Sequence, residues 1–201
     1  MKGEPMKKYE EEHYLFENIK DSIYPWIIKE MSLPQTLNGK RISEKDTPII
    51  SFVGDLSIVL VIKRGEETYE VVKDNMLAPD TDISALYQAA CANLVRDVEF
   101  VISNTMYGAF GILADGFHET SALCFKHIWN VCVDKLKDDL LIMVPARDTL
   151  VFAAASNNKV VEQMKAYAQQ AYERNTDKIS METFIFTKEE RELLTYEAIQ
   201  H

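Results

Sequence analysis

Two apolar runs joined by a short turn limit what this chain can fold into. Leu140 to Val144 and Leu150 to Ala155 are rich in aliphatic and β-branched residues, and Pro145 to Thr149 connect them. Such runs, bounded by turn residues, predict two β-strands. A fold that contains this strand pair must include a sheet, which excludes an all-helical protein.

Other segments extend the same pattern. Apolar spacing of three and four residues predicts helices over Ile83 to Val95, Lys126 to Lys137 and Asn158 to Tyr172. Hairpins mixed with helices, without regular strand–helix alternation, indicate an α+β fold: a mostly antiparallel sheet covered on one face by helices. The remaining predicted strands are Ile49 to Val53, Leu56 to Ile62, Tyr69 to Val72, Phe100 to Ile102, Tyr107 to Leu113 and Met181 to Phe186.

The N-terminal region predicts a separate element. Phe16, Ile19, Ile23 and Trp26 recur at helical spacing, so residues 1–33 are expected to form a helical arm. Pro25 breaks or kinks this arm, because proline removes a backbone donor and disfavours helix at the residue before it. The following loop, residues 33–47, is the predicted boundary of a single α+β domain over residues 47–201.

The C-terminal tail, residues 188–201, allows two structures. Thr187 and Glu190 match a helix capping box. Glu192 to Tyr196 fit a returning hairpin strand equally well.

Charge excludes two classes of partner. Twenty-two basic against 32 acidic residues give a net charge of −10. A chain this acidic lacks the basic surface that nucleic acids require, and an anionic membrane repels it. The longest stretch without a charge, Phe100 to Ala114, is too short and too polar for a membrane-spanning helix. With no signal peptide and three sparse cysteines, we expect a reduced, cytoplasmic protein.

Four short motifs in a shared order resemble the YtpQ-like family, bacterial proteins without an established activity. They are Asp55-Leu56-Ser57-Ile58-Val59, Ala90-Cys91-Ala92-Asn93-Leu94, Asp115-Gly116-Phe117-His118-Glu119-Thr120-Ser121 and Val144-Pro145-Ala146-Arg147-Asp148-Thr149-Leu150-Val151-Phe152. The resemblance covers about Tyr24 to Phe186. It implies an α+β fold and a bacterial source, and it implies no reaction.

One segment contains the candidate catalytic residues Asp115, His118 and Glu119. A histidine with two carboxylates can serve as a general acid–base pair. The Asp115-Gly116 pair also favours a tight hairpin turn, which predicts a strand over Phe117 to Cys124 and makes Asp115 a turn residue. In a strand, His118 and Glu119 point to opposite faces. A helix beginning near His118 is the alternative.

Arg147 and Asp148 are the candidate binding residues, because they occupy the turn after Pro145 and arginine can clamp a carboxylate or phosphate. In the structural alternative, Asp148 bonds nearby backbone amides in the turn, and Arg147 pairs locally or stays in water. Cys124 and His127 supply only half of a zinc ligand set, so no metal is expected. No phosphate loop or nucleophile motif is identified, and no cofactor is expected.

The absent catalytic pattern favours a non-enzymatic binding or protein-interaction module. Its expected partner is another protein or a second copy of the chain. The alternative is a small-molecule or metal-dependent enzyme with a site built from Asp115, His118, Glu119, Arg147 and Asp148. That alternative requires the two turns to converge on one cleft.

Overall fold

A computed structural model describes residues 16–30, 35–37 and 40–197. Its α-helices are α1 (Phe16–Ile19), α2 (Ile83–Asp97), α3 (Lys126–Leu136) and α4 (Asn158–Arg174), and two 3-10 helices span Asp74–Met76 and Glu119–Cys124. The strands are β1 (Ile23–Lys29), β2 (Gln35–Leu37), β3 (Lys40–Ile42), β4 (Ile49–Ser51), β5 (Leu56–Lys63), β6 (Tyr69–Val71), β7 (Val101–Asn104), β8 (Phe110–Leu113), β9 (Leu140–Ala146), β10 (Thr149–Ala154), β11 (Phe184–Phe186) and β12 (Leu193–Thr195).

These strands form two open sheets and a small hairpin. The first sheet has the order β1-β5-β4, with β6 also paired to β5. The second has the order β12-β11-β9-β10-β8-β7, and β2 pairs with β3. Each neighbouring pair of the second sheet is antiparallel. The predicted α+β class is therefore confirmed, as are the three helices predicted from apolar spacing.

The described residues group into two compact units. Of the described residues, the first unit contains 16–26, 35–37, 40–50 and 58–97, and the second contains 27–30, 51–57 and 98–197. In the first unit, α2 packs through Leu86 and Ala90 against Ile23, Leu60 and Ile62.

In the second unit, β9 is buried along its whole length. Val151 of β10 belongs to the cluster that α4 covers with Val161 and Met164. The next residue of β10, Phe152, points to the opposite face and meets the Trp129 ring of α3 at 5.4 Å between centroids. This sheet thus has helices on both faces, where one covered face was expected, because both sides of β9 are apolar.

The helix predicted through Ile23 and Trp26 is wrong beyond α1, because Ile23–Lys29 is strand β1. Six of its seven residues are buried, so the spacing of three and four was part of a continuous apolar run that fits a strand covered on both faces. Pro25 lies within this strand rather than at a helix break. Residues 1–15 of the predicted arm lie outside the described residues.

Two further segments differ from, or decide between, the expectations. The strand predicted for Phe117 to Cys124 is wrong: Glu119–Cys124 is a 3-10 helix, so the helical alternative holds. In the tail, Phe184 pairs with Thr195 and Phe186 with Leu193, which confirms the hairpin strand over the capping box. Residues 198–201 lie outside the described part of the chain.

Asn93 joins α2 to the start of β1 in the first unit. Its buried side-chain amide donates to the carbonyls of Lys20 (2.6 Å) and Ile23 (2.9 Å). Asn93→Leu leaves both acceptors without this donor, so we expect the free energy of unfolding to fall by about 2–4 kcal/mol. Urea unfolding followed by circular dichroism measures the change.

Gln88→Leu is the matched control, since Gln88 is an exposed amide on the same helix. It should change the free energy of unfolding by less than about 0.5 kcal/mol. Equal losses in the two variants would show that the Asn93 hydrogen bonds do not hold the helix in place.

Candidate functional site

The loop between β8 and the second 3-10 helix brings Asp115 and His118 together. Nδ1 of His118 lies 3.0 and 2.9 Å from the two Asp115 carboxylate oxygens. The same carboxylate accepts hydrogen bonds from the amides of Phe117 and His118, both at 3.1 Å. Since a carboxylate only accepts, Nδ1 of His118 carries the shared proton. Gly116 adopts φ +86°, a conformation that glycine reaches without strain.

Glu119 closes this loop from the other side. Its Oε1 accepts from the amides of Gly116 (2.8 Å) and Ala114 (3.1 Å). Its Oε2 is buried and has no hydrogen-bond partner in the described part of the chain. His118 is fully buried and Glu119 is 5% exposed. The three candidate catalytic residues therefore lie together in one loop. Their hydrogen bonds stabilise the loop from inside, and of the three only the Asp115 carboxylate is partly exposed.

The electrostatics of Asp115 follow from these contacts. Burial raises the pKa of its carboxyl, but the hydrogen bond and charge of His118, together with the two loop amides, outweigh burial and lower the pKa overall. The ionised carboxylate is thus the form that the fold stabilises.

Arg147 is turned into the protein. The residue is 5% exposed, and its Nε donates to the Asp177 carboxylate at 3.2 Å. One terminal nitrogen lies 3.5 Å from the carbonyl of Ile27, and the Arg147 amide donates to the carbonyl of Asp177 at 3.1 Å. Burial lowers the pKa of Arg147, and the charge of Asp177 opposes that change. This arrangement joins three chain segments, so Arg147 is buried and paired with residues distant in sequence, rather than paired locally or left in water.

Asp148 is exposed and bonded to its surroundings. Its Oδ1 accepts from the Thr149 hydroxyl and from the Asn175 amide, both at 2.9 Å. Ala146 pairs with Thr149, so Arg147 and Asp148 form a two-residue turn, and the strands extend further than predicted. Nothing in the sequence near Arg147 indicates its partner Asp177, thirty residues away.

The two candidate turns do lie at the same end of the second sheet. Leu150 is opposite Ile112 and Phe152 is opposite Phe110, so β10 begins beside the point where β8 ends. The strand arrangement therefore brings the two turns to one end of the sheet, as the enzyme alternative requires. Because the Arg147 guanidinium and the Glu119 carboxylate are turned inward, however, the convergence does not assemble an open catalytic centre.

Cys124 and His127 also form no centre in the described residues. No group of three or more His, Cys, Asp or Glu side chains in residues 16–30, 35–37 and 40–197 is placed to hold a metal ion. Cys124 ends the 3-10 helix and is half-buried, while His127 lies on the exposed side of α3.

The free edge of the second sheet is formed by a stretch that the sequence analysis used only to exclude a membrane-spanning helix. The sheet order ends at β7, which pairs with β8 and with no other described strand. Val101 (49% exposed) pairs with Leu113 (54% exposed), and Ile102 is also exposed. The hairpin of β7 and β8 lies within the uncharged stretch Phe100 to Ala114. The sequence signal that could have indicated this exposed edge is the uncharged stretch itself, which is unusual in a chain of net charge −10.

Hydrogen-bond geometry shows which backbone groups face outward. The amide of Thr105 donates to the carbonyl of Ala109 at 2.8 Å, and the register continues with Ser103 opposite Gly111. Hydrogen-bonded and non-hydrogen-bonded pairs alternate in an antiparallel ladder. Ser103 therefore bonds inward, and the backbone groups of Ile102 and Asn104 point to the free edge.

No helix in the described ranges is long and apolar enough to cross a membrane. No family model, curated protein or solved structure matches this chain. The resemblance to the YtpQ-like family stays a prediction.

Asp115→Ala tests the structural role of the loop. Removing the carboxylate takes away the acceptor of His118 and of two amides, so the free energy of unfolding at pH 7 should fall by about 1–3 kcal/mol. Because the pKa of Asp115 is lowered in the folded state, this stabilisation is present above the unfolded pKa of about 3.9 and is lost as the pH falls through the folded value. Urea unfolding at pH 7 and below pH ~4 measures both effects.

Asp148→Ala is the control, since that carboxylate is exposed and accepts from two neighbouring side chains only. It should show a smaller loss at pH 7. A deficit in Asp115→Ala that stays constant down to low pH would contradict the ionised-carboxylate account.

Proposed function

We propose that this protein is a non-enzymatic interaction module and that β7 pairs with the β7 strand of a second copy. The observation that carries this proposal is an exposed, uncharged edge strand in a strongly acidic chain. Proteins that keep such edges apart usually place lysine, proline or a bulge on them. The β7 sequence, Val101-Ile102-Ser103-Asn104, has none of these residues.

Charge favours a second copy as the occupant. Two chains that each carry −10 repel one another wherever acidic surfaces approach. The stretch Phe100 to Ala114 contains no Asp or Glu, so contact along it brings no like charges together. A parallel arrangement would place two Glu99 side chains side by side, whereas an antiparallel pairing centred on β7 separates them.

The backbone supports the antiparallel arrangement. The outward N–H and C=O groups of Ile102 and Asn104 are those that an added strand bonds. A twofold axis between the two β7 strands makes the contact self-complementary, so assembly stops at two copies. Val101 and Leu113 add an exposed apolar patch on one face of the hairpin.

The proposed interface is weak, and its proposed location is the cytoplasm. One strand pair with a few apolar side chains belongs among small interfaces, so association should be weak and concentration-dependent. We place the module in the cytoplasm, supported by Cys91, Cys124 and Cys132, none of which forms a disulfide within the described part of the chain. Its acidic charge argues against nucleic acid and anionic membranes as partners.

Sedimentation velocity over a concentration series tests the pairing. The wild type should shift from monomer to dimer as concentration rises, and added salt should preserve or strengthen the dimer because it screens charge repulsion. Val101→Lys should remain monomeric, because it places a cation from each copy at the contact. Val131→Lys is the matched control, since Val131 is 47% exposed on α3.

A proline pair tests the backbone contact separately. Asn104→Pro removes an outward N–H and should weaken the dimer while the monomer stays folded. Ser103→Pro removes an inward ladder bond and should lower the melting temperature instead. A wild type that stays monomeric, forms open-ended polymers, or dimerises equally well with Val101→Lys would overturn the proposal.

A further inference from the structure

A cavity of about 310 Å³ lies between α3 and the β11–β12 hairpin in the second unit. Its volume is at the lower end of the range for small-molecule sites. The floor is apolar: Leu123, Trp129 and Phe186 line it, and each is at least 96% buried. The residues around its mouth are Phe52, Cys124, Lys126, Arg191, Glu192 and Leu193.

The rim of this cavity carries two cations. Lys126 is exposed, and within the described part of the chain no carboxylate pairs with its ammonium. One terminal nitrogen of Arg191 donates to the Asp134 carboxylate at 2.8 Å, and the other donates to the Asn130 carbonyl at 3.3 Å. Because a guanidinium has five N–H donors, three of those of Arg191 remain for a ligand.

The backbone of Arg191 is unusual. It adopts φ +58°, a left-handed conformation that glycine accepts far more readily than arginine. Strained backbone of this kind concentrates at sites where a side chain has to be held in one place. Here the two contacts to α3 hold the guanidinium at the cavity rim.

Contacts within the protein hold the floor of the cavity in place. The indole N–H of Trp129 donates to the carbonyl of Ala122 at 3.1 Å, and its ring packs on Phe152. Phe52 and Leu193 are half-buried beside this floor and offer apolar surface to a flat ring. The cations above them favour an anionic group.

We propose that this cavity binds a small aromatic carboxylate, whose ring lies against Phe52 and Leu193 and whose carboxylate is held by Lys126 and Arg191. Arginine bonds carboxylates with two parallel N–H donors, and lysine adds a point charge. Glu192 at the same rim and Asp134, which is paired with Arg191, contribute two negative charges, so the site favours a monoanion over a dianion. Lys126, which has no carboxylate partner among the described residues, gives the site its preference for an anion over a neutral ligand.

Isothermal titration calorimetry with phenylacetate and its neutral analogue phenylacetamide tests the proposal. Phenylacetate should bind with a Kd of about 1 mM or lower, and phenylacetamide at least about tenfold more weakly. Lys126→Gln and Arg191→Gly should each weaken phenylacetate binding about tenfold. Arg191→Gly suits the left-handed backbone, so its melting temperature should show a folded protein.

Lys159→Gln is the matched control, because Lys159 is an exposed lysine in the first turn of α4 and lies outside the cavity lining. It should bind phenylacetate as the wild type does. Val101→Lys should do the same, so this site succeeds or fails independently of dimerisation. No saturable binding, equal affinity for phenylacetamide, or wild-type affinity in both Lys126→Gln and Arg191→Gly would overturn the proposal.

Discussion

Strand β9 is buried on both faces along its whole length, and the rest of the second unit depends on covering it. One face receives Val161, Met164 and Ala168 of α4, and the other receives Trp129 of α3 through Phe152. Both edges of β9 are also paired, by β10 on one side and β11 on the other. A strand with no exposed face or edge leaves function to the ends and margins of the sheet.

Polar side chains beside this core form hydrogen bonds that connect segments distant in sequence. Both carboxylate oxygens of Asp55 lie within 2.7 Å of the Ser180 hydroxyl, and the Asp55 amide donates to Glu182 at 2.9 Å. Burial raises the pKa of Glu182, and the nearby Asp55 carboxylate adds to the rise against the opposing Asp55 amide. Gly54 permits this approach: at φ +54° a Cβ there would lie 2.5 Å from Glu182 Oε2. The Asp115 and Arg147 clusters stabilise their own turns by similar means.

Local patterns in the sequence were sufficient for most elements of the fold. The helices α2, α3 and α4 follow from spacing that a single apolar face imposes, and the β9–β10 hairpin follows from its two apolar runs. The error at Ile23–Lys29 has a physical cause: a strand buried on both faces has no alternation, so its residues also match helical spacing. At Asp115-Gly116, a turn signal was assigned to a hairpin, although side-chain bonds from Asp115 and Glu119 lead the chain into a 3-10 helix.

The candidate residues show why chemistry is harder to predict than fold. Asp115, His118 and Glu119 are close in sequence, yet burial, which depends on distant segments, decides that His118 and Glu119 face inward. The partner of Arg147 is Asp177, and no local pattern identifies it because the two residues lie thirty positions apart in the sequence.

The distribution of charge offers a more general argument. Asp and Glu exceed Lys and Arg by ten, so a region without charge, or one where two cations lie close together, differs from most of the surface. Such a region exists at each margin of the second sheet: the uncharged hairpin at the β7 edge, and Lys126 with Arg191 beside β12. The acidic remainder repels a second copy, so these two margins are the places where we propose contact. The net charge thus limits where the chain can bind, and the covered core places both margins at opposite ends of one sheet.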